Sequence, residues 1–142
     1  MVDRELEGVV AKLAEHYGER LLSAVLFGSR ARARFRPESD WDLLLVLTDD
    51  EPIRRDLYRE WDEEVAPGVD LLLKGVSPHF VHLPANVGEP SSLWLEIAMA
   101  HDILHDPSGR LTSRLEMIRS LVEQGRFERR AVHGLSYWRG VA

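Results

Sequence analysis

Two short and nearly uninterrupted apolar runs constrain the fold of this chain more than any other feature. They occupy residues 21–27 and 43–47, and each is bounded by glycine or acidic residues. Runs of this length suit buried strands, because a helix of so few residues would bury little, and a strand covered on both faces needs no polar alternation. The sequence therefore predicts two central strands of one sheet.

Helical patterns flank these two strands. Apolar residues recur at spacings of three and four in residues 2–17, 53–65, 93–100 and 111–122, which is the rhythm of a helix with one buried face. A third short strand is predicted at residues 69–73 and an edge strand at 102–105. Together these elements predict an α/β fold with a small mixed β-sheet of about four strands flanked by helices.

The chain length fits one domain, spanning residues 1–142, in which residues 20–73 contain the motifs described below and residues 91–142 form a helical C-terminal part. Hydrophobic residues make up 44% and charged residues 30% of the chain, which is usual for a folded globular protein. No apolar run approaches the roughly 18 residues of a membrane span, and the acidic N-terminus is unlike a signal peptide. We therefore predict a cytoplasmic protein without a membrane partner.

The net charge bounds the class of partner. At −6, the chain lacks the excess of basic residues that a broad nucleic-acid-binding surface needs to neutralise phosphates. Nucleic acid is therefore an unlikely partner, although arginines cluster locally within residues 30–36.

A pair of aspartates stands at the beginning of the second predicted strand. Asp40 and Asp42 flank Trp41, and because side chains alternate along a strand, both carboxylates are expected to point the same way. Adjacent carboxylates repel one another unless a cation lies between them, so this spacing predicts a divalent metal site. Asp70, in the third predicted strand, could join the pair if the two strands are neighbours, and three carboxylates could hold two ions.

A phosphate site is predicted where the first strand ends. Gly28 allows close approach to the backbone, and Ser29 offers a hydroxyl at the start of a predicted short helix, whose amides favour an anion. Either Arg30 or Arg32 could neutralise phosphate charge. The residues alone also permit simpler interpretations: Asp40, Asp42 and Asp70 as turn residues, and the arginines as a solvated helix face.

The histidines show no pattern typical of a metal site. Five of the six are dispersed through the second half of the chain without tight ligand spacing, and partly buried or surface positions are the default interpretation. The residues concerned are His79, His82, His101, His105 and His133.

These motifs carry a family resemblance. Gly28-Ser29, ten residues and then Asp40-Trp41-Asp42 resemble the GSx10DxD signature of the DNA polymerase beta-like nucleotidyltransferase superfamily. The run at residues 26–32 is similar to that of the prokaryotic minimal nucleotidyltransferases, and Val69-Asp70-Leu71 matches their third carboxylate.

The resemblance implies a magnesium-dependent nucleotidyltransferase with the polymerase beta-like fold. Asp40, Asp42 and Asp70 would be the catalytic and metal-binding residues for two Mg²⁺ ions, with Mn²⁺ as an alternative. Gly28, Ser29 and Arg30 would bind the nucleotide. An acceptor hydroxyl would attack the α-phosphorus of a triphosphate, ATP being favoured, and pyrophosphate would leave.

The resemblance also suggests a partner. Minimal nucleotidyltransferases often pair with a small helical HEPN protein as antitoxin and toxin, so transfer of AMP to a hydroxyl of such a partner is the expected function. Two alternatives remain open: a noncatalytic nucleotide-binding antitoxin, and a transferase acting on a small molecule such as an antibiotic. A homodimer is also plausible.

Overall fold

The computed structural model describes residues 3–28, 31 and 40–141. Ser29 and Arg30, which are predicted to bind the nucleotide, lie outside the described residues, as does Arg32. No helix in the described ranges is long and apolar enough to cross a membrane.

Helices and strands are interspersed along the chain, and Gly18–Arg20 form a 3-10 turn. In order, they are α1 (Asp3–Tyr17), β1 (Leu21–Phe27), β2 (Trp41–Leu47), α2 (Arg55–Glu60), a π-helical turn (Trp61–Val65), α3 (Ala66–Val69), β3 (Val76–Val81), α4 (Ser92–Met99), β4 (Asp102–His105), α5 (Arg110–Glu123), β5 (Phe127–Val132) and β6 (Leu135–Gly140). The predicted positions of both central strands and of the edge strand are confirmed.

The main sheet has four strands in the order β3-β2-β1-β4. Strand β1 is antiparallel to both β2 and β4, whereas β3 runs parallel to β2. The prediction of a small mixed sheet is therefore confirmed. The parallel pair is possible because α2, the π-helical turn and α3 form the crossover between β2 and β3.

Both faces of the sheet are buried, as the apolar runs predict. One face packs against α1, the π-helical turn and the segment that follows it, around Leu13, Trp61 and Val69. The other face packs against α4 and α5, around Ile97 and Leu115. Alternate residues of each central strand enter opposite cores, which explains why these strands are apolar throughout.

The third strand lies later in the chain than predicted. Val69 ends α3, and Asp70 is the C-cap residue of that helix, its amide donating to the Ala66 carbonyl at 2.8 Å. Val69 and Leu73 are buried whereas Leu71 is 84% exposed, so burial recurs every four residues and does not alternate. The prediction that Asp70 lies in a strand is wrong, and the strand is instead β3, at Val76–Val81.

The C-terminal part is less helical than predicted. Besides α4 and α5 it contains β4 and the antiparallel hairpin of β5 and β6. The hairpin packs on α4: the Trp138 indole nitrogen donates to Glu96 at 2.8 Å, and Arg129 donates to the same carboxylate at 2.7 Å. The guanidinium of Arg129 also lies over the Trp138 ring. These polar contacts are long-range, which is why periodicity did not predict the hairpin.

Asp106 ties the start of α5 to the middle of β1. Its carboxylate accepts from the buried Ser23 hydroxyl at 2.6 Å and from the Thr112 amide and hydroxyl, both at 2.8 Å. Burial alone would raise the pKa of Asp106, but the hydrogen bonds from Ser23, Thr112 and Leu111 outweigh it and lower that pKa. The ionised carboxylate therefore stabilises the fold.

Asp106→Asn is expected to lower the free energy of unfolding at pH 7 by about 1 to 2 kcal/mol, since an amide cannot accept from donors at both of its terminal atoms. Because the folded-state pKa is lowered, the contribution of Asp106 is present above the unfolded pKa of about 3.9 and is lost as the pH falls through the folded pKa. Urea unfolding measured at pH values from 7 to 3 should therefore show that the free energy of unfolding falls less for the variant than for the wild type. Asp102→Asn, at an exposed aspartate, is the control and should follow the wild type. The same pH dependence of the free energy of unfolding in Asp106→Asn and the wild type would contradict the prediction.

Candidate functional site

Asp42 lies where the ends of three strands meet. It pairs with Phe27, the last residue of β1, and with Ser77 of β3. Its side chain is 32% exposed, so the carboxylate is held by a buried strand and still reaches solvent. The first two predicted strands therefore bring Gly28 and Asp42 together, as the motif spacing requires.

Gly28 approaches this carboxylate too closely for any side chain. Its φ is +76°, and a Cβ atom placed on it would overlap Oδ2 of Asp42. The left-handed backbone favours glycine at this position, and any side chain would have to displace the Asp42 carboxylate. The predicted phosphate site therefore lies directly beside the Asp42 carboxylate.

Trp41 and Asp40 are oriented by the core and by a neighbouring turn. Trp41 is buried in the core on the α1 side, which confirms that it points away from Asp42. Its amide donates to the Gly75 carbonyl at 2.8 Å. Asp40 precedes β2 and is exposed, and its Oδ1 lies 3.6 Å from the position that a Cβ on Gly75 would occupy.

Asp70 does not occupy the strand position expected of a third carboxylate. Ser77 is the β3 residue in register with Asp42, and Asp70 is exposed at the end of α3. Asp40, Asp42 and Asp70, all of which the structure describes, do not form a group whose ligand atoms lie within 4.8 Å of one another. The strand-based argument for Asp70 therefore no longer applies.

His79 is a candidate residue that the sequence analysis missed. Its Nε2 lies 3.4 Å from Oδ1 of Asp42, and its ring packs edge-on against Phe27 with centroids 5.1 Å apart. In β3 it stands two positions after Ser77, so it shares the face of Asp42. The sequence did not indicate this position, because the third strand was predicted at residues 69–73 and His79 stood outside it.

A second acidic cluster lies at the opposite end of β1. His16, Glu60 and Glu64 bring ligand atoms within 4.8 Å of one another. However, Glu60 accepts from both Arg20 and His16 at 2.6 Å, and the hydrogen bond from Arg20 is the main reason that the pKa of Glu60 is lowered. The Arg20 guanidinium already neutralises this carboxylate, so the cluster is best explained as a link between α1 and α2.

The donors around Asp42 fit a divalent cation better. Asp42 offers carboxylate oxygens to solvent, His79 offers a ring nitrogen beside them, and Asp40 lies just outside the strand. Carboxylates and imidazole are common ligands of divalent metal ions. Asp42 and His79 thus offer two donor atoms for one cation, whereas Asp40, Asp42 and His79 do not bring three ligand atoms within 4.8 Å of one another.

Gly28→Ala is expected to destabilise the fold by about 1 kcal/mol more than Gly125→Ala, because overpacking adds to the backbone cost. Gly125 is a matched control, since its φ is +78° and no atom lies within 4 Å of its Cβ position. Urea unfolding measures both variants. In the double variant Gly28→Ala, Asp42→Ala, the additional loss in free energy of unfolding caused by the contact with Asp42 should disappear. Additive effects of the two substitutions would contradict the proposed contact.

Comparison with known proteins agrees with this geometry. Residues 9–81, more than half of the chain, match the family described as Polymerase beta, Nucleotidyltransferase. The matched region runs from α1 to the end of β3 and includes Gly28, Asp40, Asp42 and His79. A comparison with curated protein sequences finds no significant match.

Solved structures share the fold at low sequence identity. A chain of a toxin–antitoxin complex with AMP-PNP superposes with a TM-score of 0.55 and 16% identity, covering 84% of this chain and 89% of that chain. The complex of a tri-AMPylated Shewanella oneidensis HEPN toxin with its MNT antitoxin gives 0.55 and 13%, covering 89% and 90%. The MntA–HepT toxin–antitoxin complex gives 0.52 and 14%, covering 87% and 90%. With the family match over β1, β2 and β3, the chain belongs to the polymerase beta nucleotidyltransferase family.

Proposed function

We propose that this protein is an antitoxin that transfers AMP from ATP to a hydroxyl group of a HEPN-type partner protein. The observation that carries the proposal is the contact of Gly28 with the Asp42 carboxylate, within the region that matches the nucleotidyltransferase family. This contact joins a candidate phosphate site to a candidate metal site. Phosphate and metal must be adjacent for a triphosphate to react.

The nucleotide would bind through its phosphates at the end of β1. The Gly28 backbone would approach a phosphate, the Ser29 hydroxyl would donate to a phosphate oxygen, and the Arg30 guanidinium would pair with the pyrophosphate part. Asp42 bears a negative charge next to this site. A triphosphate therefore needs a cation there to avoid repulsion.

Asp40 and Asp42 would hold the divalent cation, for which Mg²⁺ is the first expectation. When bound, the cation supplies neutralisation of phosphate charge and polarisation of the reacting phosphoryl group. The role of Asp42 follows from its position on a buried strand, which keeps its carboxylate in place. Asp40 precedes the strand and is more exposed.

The reaction is the transfer of one nucleotidyl group. The acceptor oxygen forms a bond to the α-phosphorus, and the bond from that phosphorus to the oxygen bridging to the β-phosphorus breaks. Pyrophosphate takes the electron pair, and the hydroxyl proton is released to solvent. Electrostatic stabilisation and positioning provide most of the catalysis in transfers of this type.

The partner is inferred from the structural comparisons. Chains of this fold occur in complexes described as toxin–antitoxin, one of them with a tri-AMPylated HEPN toxin and an MNT antitoxin. These similarities support a protein hydroxyl as the acceptor. Between 84% and 89% of this chain is covered in the two superpositions, so the comparison extends beyond the motif region.

One observation favours a second function. Ser77, which cannot act as a third carboxylate, stands beside Asp42, while Asp70 lies at the end of a helix. A site with fewer carboxylates could bind a nucleotide without turnover, and the protein would then neutralise its partner by contact. Turnover distinguishes this noncatalytic antitoxin from the proposed transferase.

The purified protein, incubated with Mg²⁺, ATP labelled at the α-phosphate and a lysate of the source organism, is expected to label a protein band. Asp42→Asn should reduce labelling by about 10²-fold or more, since loss of a metal ligand should exceed the loss of an outer-shell partner. Asp70→Asn is the matched carboxylate control and should keep most of the labelling, because Asp70 is not in the strand beside Asp42.

The other outcomes assign the alternatives. ATP binding without any labelled product would favour the noncatalytic antitoxin, and a labelled small molecule would favour a small-molecule transferase. Full activity of Asp42→Asn would overturn the metal role of that residue. Loss of activity in Asp70→Asn at unchanged stability would restore the role that the family resemblance gave it.

A further inference from the structure

We propose that His79 is a ligand of the divalent cation at Asp42, and that this nitrogen ligand makes the site prefer Mn²⁺ to Mg²⁺. The inference rests on the proposed function, since the cation is the one that would accompany the nucleotide. It replaces the third carboxylate predicted at Asp70 with an imidazole from β3. The evidence for this role of His79 is its contact with Asp42, the register of β2 and β3, and the ligand chemistry of imidazole.

The distance between the two donor atoms fits a shared ion. Nε2 of His79 and Oδ1 of Asp42 are 3.4 Å apart, which is long for a hydrogen bond between an imidazole and a carboxylate. Two donor atoms at this distance would both reach one cation placed between them.

The sheet holds the imidazole in this position. Ser77 pairs with Asp42 and His79 follows two positions later, so the Asp42 and His79 side chains emerge on the same face. The Phe27 ring packs edge-on against the His79 ring, at an interplanar angle of 69°. Phe27 is itself 9% exposed, so the packing comes from the core and restricts the imidazole.

The ligand set determines which cation is preferred. Mg²⁺ is bound almost entirely by oxygen ligands, whereas an imidazole nitrogen binds a first-row transition-metal ion such as Mn²⁺ more readily than Mg²⁺. The β3 residue that pairs with Asp42 is the neutral Ser77, and the next residue on the same face is His79. An acidic residue in place of His79 would supply an oxygen ligand, which favours Mg²⁺. The described site therefore offers one nitrogen beside a carboxylate, and this nitrogen favours Mn²⁺ over Mg²⁺.

The proposal is tested by titrating the protein with Mn²⁺ in the absence of nucleotide. Binding is measured as the decrease in the electron paramagnetic resonance signal of free Mn²⁺. His79→Gln is expected to weaken Mn²⁺ binding at least tenfold, since a direct ligand should contribute no less than an outer-shell partner. Mg²⁺ affinity, measured by competition with Mn²⁺ on each protein, should change much less. His133→Gln removes an exposed histidine at the β5–β6 turn and should leave both affinities unchanged.

Two results would overturn the proposal. One is an unchanged Mn²⁺ affinity in His79→Gln. The other is an equal loss of Mn²⁺ and Mg²⁺ affinity, which would mean that His79 only positions Asp42. Asp42→Asn provides the reference for equal loss, because it removes an oxygen ligand that both ions use.

A spectroscopic measurement on the wild type avoids any dependence on variant folding. Co²⁺ added to the protein should produce a paramagnetically shifted, exchangeable proton signal from a metal-bound imidazole. Absence of that signal at saturating Co²⁺ would contradict ligation by His79. These measurements need neither nucleotide nor acceptor, so a protein that binds Mn²⁺ through His79 but transfers no nucleotide would refute the proposed function alone.

Discussion

The burial of both faces of the β1–β2 pair is the constraint on which the rest of the structure depends. Leu44 and Leu45 are adjacent in β2, enter opposite cores and are both fully buried. Two helical layers are needed to exclude water from such a pair, and they come from the segments before β1, between β2 and β3, and after β3. Burial of this apolar surface provides the main driving force for folding.

This constraint also places the candidate site. Antiparallel pairing puts the end of β1 beside the beginning of β2, so Gly28 and Asp42 meet although they are separated by the motif spacing. The same buried strands hold the backbone of Asp42 in place. Residues that are separated in the motif are therefore neighbours in the strand pair. For this reason the motif alone predicted that Gly28 lies beside Asp42.

The third strand shows where sequence reasoning failed and why. Residues 69–73 are apolar enough for a strand, but Val69 and Leu73 are buried on one side of a helical segment while Leu71 faces solvent. The actual β3 contains a proline and polar residues, which weaken the strand signal. Because the predicted strand lies a few residues too early, the sequence predicted Asp70 beside Asp42, whereas the structure has His79 there.

By itself, the sequence determined the strands that are buried on both faces, the α/β class and the meeting of Gly28 with Asp42, since these depend on local periodicity and on a short spacing. Only the tertiary structure decided which residue of β3 lies beside Asp42, and how the C-terminal hairpin packs through Trp138 and Glu96. Parallel register and long-range polar contacts join residues far apart in the chain. No local pattern encodes them, because their energies arise only when the cores have brought the elements together.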